Sequence, residues 1–344
     1  VADRAAFMEQ RARMPMVELP GDEIVLVPYR VEPNYAGWRL DQYLCEKLRR
    51  ASRERVQEII ENDLVCDRPL KASSPVWPGL SFQLRRRVRA EPTVPGIERL
   101  KEVYVDDWLV VVDKPAGLPM HPTARYHLGT LVTQLDTRYG KGNASAAHRL
   151  DRETSGLVVC GRTLEATQRL GRLFHDGHVD KEYLAVVEGH PPDDAFDVDA
   201  PIAEGTELIR IAVRIDQVEG RAAQTHFRVV ARFERRGEPF AVLRCFPKTG
   251  RQHQIRIHAR EAGYPLVGDK MYGPDPGYFD RFSRHELEPE AWERLRLPRH
   301  ALHAARISFK HPGTRSQVTF DSPLADDLIG FMQGRDDSAG NDAP

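Results

Sequence analysis

The sequence predicts an α+β protein in two folded parts, a small N-terminal module and a larger, mostly antiparallel mixed sheet with helices packed on it. Three observations support that reading. At 344 residues the chain exceeds one average domain and suits two of unequal size. Near residue 40, leucines at helical spacing are followed by a second apolar helical stripe and then by strand-like pieces. Beyond residue 98, apolar β-rich runs recur with few helices between them, which favours an antiparallel sheet over alternating β–α–β units.

Composition narrows the class. A hydrophobic content of 41% is enough for a sizeable core. No apolar run approaches the roughly 20 residues of a membrane helix. Val1-Ala2-Asp3-Arg4 lacks the charged-then-apolar layout of a signal peptide, so a cytoplasmic protein with no membrane partner is expected. Cys45, Cys66, Cys160 and Cys245 are scattered, with no Cys-x-x-Cys pair, and read as reduced thiols. The net charge of −1 excludes a uniformly basic nucleic-acid binder, so any phosphate contact must come from local basic surface. Without heptads or an exposed apolar stripe, a monomer is expected.

Taken in order, residues 1–35 are expected to be an N-terminal arm, because the opening mixes charge with Met and Pro without a sustained period. The module over 36–90 begins with Leu40, Leu44 and Leu48, stacked on one helix face. Ser52 is a candidate N-cap for a second helix with Val56, Ile59 and Ile60 on its apolar face. Short strands follow at 64–66 and 80–84. Arg39, Lys47, Arg49, Arg50, Arg53 and Arg55 decorate the helices, and Arg85, Arg86, Arg87 and Arg89 close the unit. Such runs are often plain solvated surface; their clustering at two edges of one unit points instead to RNA contact.

Residues 91–97, with Pro92, Pro95 and Gly96, read as a linker, and 334–344 as a disordered polar tail. Over 98–333, strands are expected at 103–105, 109–112, 156–160, 182–188, 225–232, 240–246 and 302–309. Helices are expected at 164–174, 251–262 and 324–332.

Four stretches of this second domain can carry chemistry. Asp113 to Pro122 holds three prolines and a glycine straight after an apolar strand, a rigid loop where sites are often built. His148-Arg149-Leu150-Asp151-Arg152-Glu153-Thr154-Ser155-Gly156-Leu157 runs from polar residues into a strand; by spacing alone it reads equally as a hydrogen-bonded turn with a surface Asp. His-Arg-x-Asp also occurs in protein-kinase catalytic loops, but here no Gly-rich phosphate loop or Asp-Phe-Gly accompanies it. Lys181 and Tyr183 share one strand face with Ala185 and Val187, where packing is the ordinary role of a Tyr. In Thr249-Gly250-Arg251-Gln252-His253-Gln254-Ile255-Arg256-Ile257-His258, Ile255, Ala259 and Ala262 make a buried helical stripe with Arg256 on its flank. His253 and His258 are five apart rather than four, so no metal is expected.

In this order the four stretches resemble the RluA-type pseudouridine synthases over residues 98 to 330. Lys181-x-Tyr183 and Arg299-His300-Ala301-Leu302-His303-Ala304 also fit that pattern. The first module resembles the alpha-L RNA-binding domain through Arg39-Leu40-Asp41, Ser52-Arg53 and Val65. It departs at Asn62-Asp63, where Gly is usual, and at Asp67-Arg68, which replaces an Asn-Gly turn. Asn and Asp tolerate left-handed backbone, so the fold is expected to persist.

The resemblance implies an isomerase that detaches uracil from ribose and rejoins it through carbon 5. It implies Asp151 as the catalytic carboxylate, Tyr183 on the uracil and Arg256 paired with Asp151. Thr154, Gly156 and Leu157 are expected at the substrate pocket. RNA contact is expected from Arg149, which fills the vacated base stack, and from His148, Arg39, Arg53 and Arg55. No cofactor is needed, since nothing is oxidised and no phosphate moves. The implied partner is structured RNA, with ribosomal RNA favoured and transfer RNA as the alternative. Two other classes stay open: an RNA-docking factor without turnover, and a nucleoside glycosidase in which water captures the ribose.

Overall fold

The computed structural model describes residues 23–48, 51–88, 94, 97–123, 126, 128–205, 212–275, 277–284 and 286–335. The chain divides into two compact units, Val1–Ala90 and Glu91–Pro344.

In the first unit, β1 (Glu23–Arg30) precedes α1 (Leu40–Lys47), α2 (Arg53–Asn62), β2 (Leu64–Val65) and β3 (Ser81–Val88). The sheet order is β1-β3-β2, all antiparallel. Residues 23–35 thus belong to the unit instead of forming an arm, and residues 1–22 lie outside the described residues. Ser52 caps α2, its Oγ accepting from the Arg55 N–H at 3.2 Å. Leu40, Leu44, Val56 and Ile60 meet Phe82 and Leu84 in one core. Asp63 ends α2 at φ −120°, so the turn without Gly needs no left-handed residue.

The second unit is built on one sheet. Its strands begin with β4 (Lys101–Val105) and β5 (Leu109–Lys114); α3 (Leu131–Tyr139), β6 (Ser145–Ala146) and β7 (Ser155–Gly161) follow. Then come α4 (Leu164–His175), β8 (Val179–Glu188), β9 (Ala195–Asp199) and the small pair β10 (Ile202–Glu204) and β11 (Val213–Ile215). The long hairpin of β12 (Gln224–Arg235) and β13 (Glu238–Pro247) leads to α5 (Gln254–Glu261), α6 (Tyr278–Ser283) and α7 (Pro289–Leu295). The chain closes with β14 (Leu302–Lys310), β15 (Gln317–Asp321) and α8 (Asp326–Met332).

The strand path is β4-β5-β7-β14-β8-β13-β12-β9, with β15 beside β14 and β6 beside β7. All described pairings are antiparallel except β7 with β14. Period two sorts the central strands onto two cores. Val110, Val112, Val158 and Cys160 face one, while Leu109, Val111, Leu157 and Val159 face the other. Both faces are covered, which is why these strands read as continuous apolar runs.

The seven expected strands and the helix expected at 164–174 lie within observed elements, most of which extend a few residues further, while the helix expected at 324–332 starts at Asp326. Two further expectations are corrected. The helix expected at 251–262 begins at Gln254, because His253 adopts a left-handed backbone at φ 53°. The linker expected at 91–97 is anchored at its described positions, since Val94 is buried and Ile97 packs on the same core.

Candidate active site

A cavity of about 430 Å³ opens in the second unit where the loop before β7, strand β8 and the start of α5 converge. Arg149, Asp151, Thr154, Lys181, Tyr183 and Arg256 all line it. Three of the four chemical stretches therefore meet at one place. The fourth, 113–122, lies behind the Asp151 loop: buried Lys114 donates from Nζ to the carbonyls of Pro115, Leu118 and Arg152, each at 3.0 Å.

Asp151 sits between two nitrogen donors. Arg256 Nη1 donates to its Oδ2 at 3.0 Å, and His253 Nε2 lies 3.7 Å from its Oδ1. Burial works against ionisation of Asp151, but the Arg256 charge, ahead of His253 and His300, outweighs it and holds the carboxyl below its usual range. Asp151 is thus ionised at neutral pH in a largely enclosed site. Arg256 is only 6% exposed. Its Nε and Nη2 donate to Asp269 Oδ2 and Oδ1 at 2.7 and 2.9 Å, a bidentate fork that fixes the guanidinium plane. Asp269 also accepts the backbone N–H groups of Met271 and Tyr272, both at 2.9 Å.

The Asp151 loop is held from behind by the Arg299–His303 segment. Glu153 accepts Lys270 Nζ at 3.1 Å, and the Thr154 hydroxyl meets His300 Nε2 at 2.8 Å. Ser155 Oγ meets His303 Nδ1 at 2.9 Å, and Arg299 Nη1 donates to the Glu153 carbonyl at 3.2 Å. The Arg-His-Ala-Leu-His run is therefore the buttress of the carboxylate loop.

Tyr183 projects from β8 into the cavity and packs against cores on both sides of it. Burial, and then the Asp151 charge, raise its phenol well above the ordinary range, so the hydroxyl stays protonated. Arg149 is exposed on the cavity wall, suited to stacking or phosphate contact. His148 plays a different part: its Nε2 accepts the Val159 N–H at 3.0 Å and its ring stacks on Phe174. Burial, then Lys181, push it down to about 3, so it lines the cavity as a neutral, anchored ring rather than a phosphate-binding cation.

Two expected pocket residues are corrected. Leu157 is 1% exposed within the sheet core, and Gly156 lies under β14; neither lines the cavity. At Gly156, φ is +108° and a Cβ would stand 2.3 Å from the Ala304 carbonyl oxygen. Its lack of a side chain serves the β7–β14 contact rather than the substrate.

In the first unit, Arg39 forks onto buried Asp41 at 3.0 and 2.8 Å, with Arg53 3.6 Å from the same carboxylate. Arg55 pairs with Glu58 at 2.6 Å. All three guanidinium groups remain largely open to solvent. Arg49, Arg50 and Arg89 lie outside the described residues.

In the sequence, Gly268-Asp269 and Tyr272-Gly273 mark only a second loop; the roles of Asp269 and Tyr272 and the aim of His253 emerge from the structure. The available signal is electrostatic: a buried Arg needs a carboxylate partner, and the Gly268-Asp269 turn soon after the helix offers one. His258 faces away, hydrogen-bonded to Thr225 and Ala200. Among the described residues no cluster of His, Cys, Asp and Glu is arranged to hold a metal, and no helix is long and apolar enough to cross a membrane.

The cavity thus brings together an ionised carboxylate held by a guanidinium and a partly buried Tyr. Residues 108–261 match the sequence model of the RNA pseudouridylate synthase family. The ribosomal large subunit pseudouridine synthase D of Nitrosomonas europaea is 36% identical over 314 residues, spanning 88% of this chain and 86% of that protein. Its counterpart from Pseudomonas aeruginosa is 34% identical, spanning 86% and 91% respectively. Human RNA pseudouridylate synthase domain containing 1 superposes with a TM-score of 0.54 at 27% identity, covering 68% of this chain and 86% of its own. The chain belongs to the RNA pseudouridylate synthase family. It is accordingly an isomerase that converts uridine in RNA into pseudouridine.

Proposed function

We propose that the protein acts in the cytoplasm on uridines of ribosomal RNA, with Asp151 as the carboxylate that acts on the ribose. The observation that carries this is the 3.0 Å pair between Asp151 and Arg256 in the cavity that also holds Tyr183. The large-subunit relatives support the choice of ribosomal RNA.

Uridine becomes pseudouridine when the N1–C1′ bond breaks and a C5–C1′ bond forms, with the carbon 5 proton lost and N1 gaining one. Uracil leaves as a stabilised anion, so one carboxylate is enough, unlike ordinary glycoside hydrolysis. Asp151 either attacks carbon 1 of the ribose or removes a proton from carbon 2; both need the ionised form that Arg256 maintains. Tyr183 stacks on the detached base while it turns, a role its raised phenol pKa favours over that of a base. Arg149 takes the place of the flipped nucleotide in the helix, since a guanidinium plane can stack on bases and meet phosphate together. The first unit acts as an alpha-L-type RNA-binding module through Arg39, Arg53 and Arg55.

The test is tritium release from ribosomal RNA labelled at uracil carbon 5, comparing wild type with Asp151→Asn. Release by wild type alone, without free uracil, is expected. Release by the variant overturns the role of Asp151, and release only from transfer RNA overturns the substrate.

A further inference from the structure

Arg256 occupies Oδ2 of Asp151 and leaves Oδ1 as the oxygen free to meet substrate. His253 Nε2 lies 3.7 Å from that oxygen. We infer that His253 is a positioning residue for Asp151, a neutral imidazole whose N–H is held toward Oδ1 by a relay through Tyr272. The inference rests on the reading of Asp151 as the acting carboxylate.

The relay sets the tautomer. The Val213 N–H donates to the Tyr272 hydroxyl oxygen at 2.7 Å, and the same oxygen lies 2.9 Å from His253 Nδ1. In this relay the Tyr272 oxygen accepts from Val213 and gives its single proton to Nδ1. Nδ1 is then the acceptor, and the imidazole proton sits on Nε2, facing Asp151. A neutral ring donates this hydrogen bond without adding a second full positive charge beside Arg256. Burial first, despite the opposing Asp151 charge, keeps the ring neutral.

Backbone geometry gives independent support. His253 stands at φ 53° and ψ 18° immediately before α5, with no side-chain capping bond. A left-handed non-glycine residue is strained, and such strain collects where a side chain must be aimed. Extending α5 back through a right-handed residue 253 would redirect the ring. Instead, the ring sits edge-on to Tyr272, with centroids 5.6 Å apart. The 3.7 Å separation exceeds a hydrogen bond, as is common before substrate arrives, and closes when Oδ1 engages the ribose.

Steady-state tritium release and RNA affinity, measured for wild type, Asp151→Asn, His253→Phe, His253→Gln, Tyr272→Phe and His253→Phe/Tyr272→Phe, test the relay. The Phe variant at 253 should lower kcat on the order of 100-fold with KM unchanged, the scale of a misplaced reacting group. Gln, whose amide N–H can stand in for Nε2–H, should recover most of that loss. Tyr272→Phe should lower kcat less, and the double variant should match His253→Phe, because Tyr272 acts through His253. Wild-type kcat in a folded His253→Phe, a change in KM alone, no rescue by Gln, or fully additive losses would each overturn the inference. Should His253→Phe fail to fold, wild-type kcat in Tyr272→Phe overturns it instead. Turnover by Asp151→Asn defeats the underlying reading, whereas an inert Asp151→Asn beside unaffected His253 variants defeats only the relay.

Discussion

Asp269 holds Arg256 by two parallel hydrogen bonds at 2.7 and 2.9 Å, leaving Nη1 of the same guanidinium for Asp151. Two carboxylates on one cation define an order: the fully buried Asp269 orients the guanidinium, and the guanidinium orients Asp151. Asp269→Asn should therefore lower kcat although residue 269 does not line the cavity. It should also destabilise the unit by about 3–5 kcal/mol, since a buried cation loses its closest partner. Urea melts and tritium release check both effects, and wild-type kcat in the folded variant refutes the order. Arg256→Lys cannot serve both carboxylates with a single ammonium and should fail similarly.

Gly156→Ala should impair folding rather than catalysis. An added Cβ would stand 2.3 Å from the Ala304 carbonyl oxygen, at a backbone φ of +108°. Strain and overpacking together predict a loss of about 2–5 kcal/mol. A melting temperature equal to wild type would show that β7 and β14 can separate without penalty.

Neutralising Arg53 and Arg55 together should weaken RNA binding and flatten its dependence on salt. Each phosphate contact contributes about 0.9 to the slope of log K against log salt, so the pair should lower its magnitude by roughly 2. The rate at saturating RNA should stay unchanged. Filter binding at several salt concentrations decides the matter, and an unchanged slope removes these arginines from the footprint.

Acid should destabilise the second unit well before its carboxylates protonate. His148 is pushed down to about 3 and His253 to about 4, first by burial, from an ordinary 6.5. Between about 4 and 6.5 the unfolded chain binds protons that the folded chain refuses, so stability falls as pH drops through that window. Below the folded values this contribution levels off. Thermal melts at pH 7 and pH 5 should differ by several degrees, and equal melting temperatures would contradict neutral burial of these rings.

Much of this architecture can be read from sequence, and the exceptions have physical causes. The run at 109–112 is legible because both faces of β5 are covered, which demands apolar residues without interruption. Glu23–Arg30 is hidden because Pro28 and charged ends disguise a strand; an edge position in the order β1-β3-β2 tolerates them. The sequence places Arg256 beside Asp151 only through resemblance, and periodicity assigns it to a helix flank. Its burial depends on Asp269, which arrives from a turn that no helical period reports. Likewise, nothing in local propensity announces the left-handed backbone at His253.

The position of β14 also sets a timetable. This late strand lies between β7 and β8, so the sheet stays split until residues 302–310 have left the ribosome. Until then the Asp151 loop lacks its backing from His300 and His303. Closing strands so distant in the chain makes folding slow. The first unit draws its strands from within residues 23–88 and can fold far earlier. A nascent chain can therefore present its arginine-bearing module to RNA before it is able to modify any.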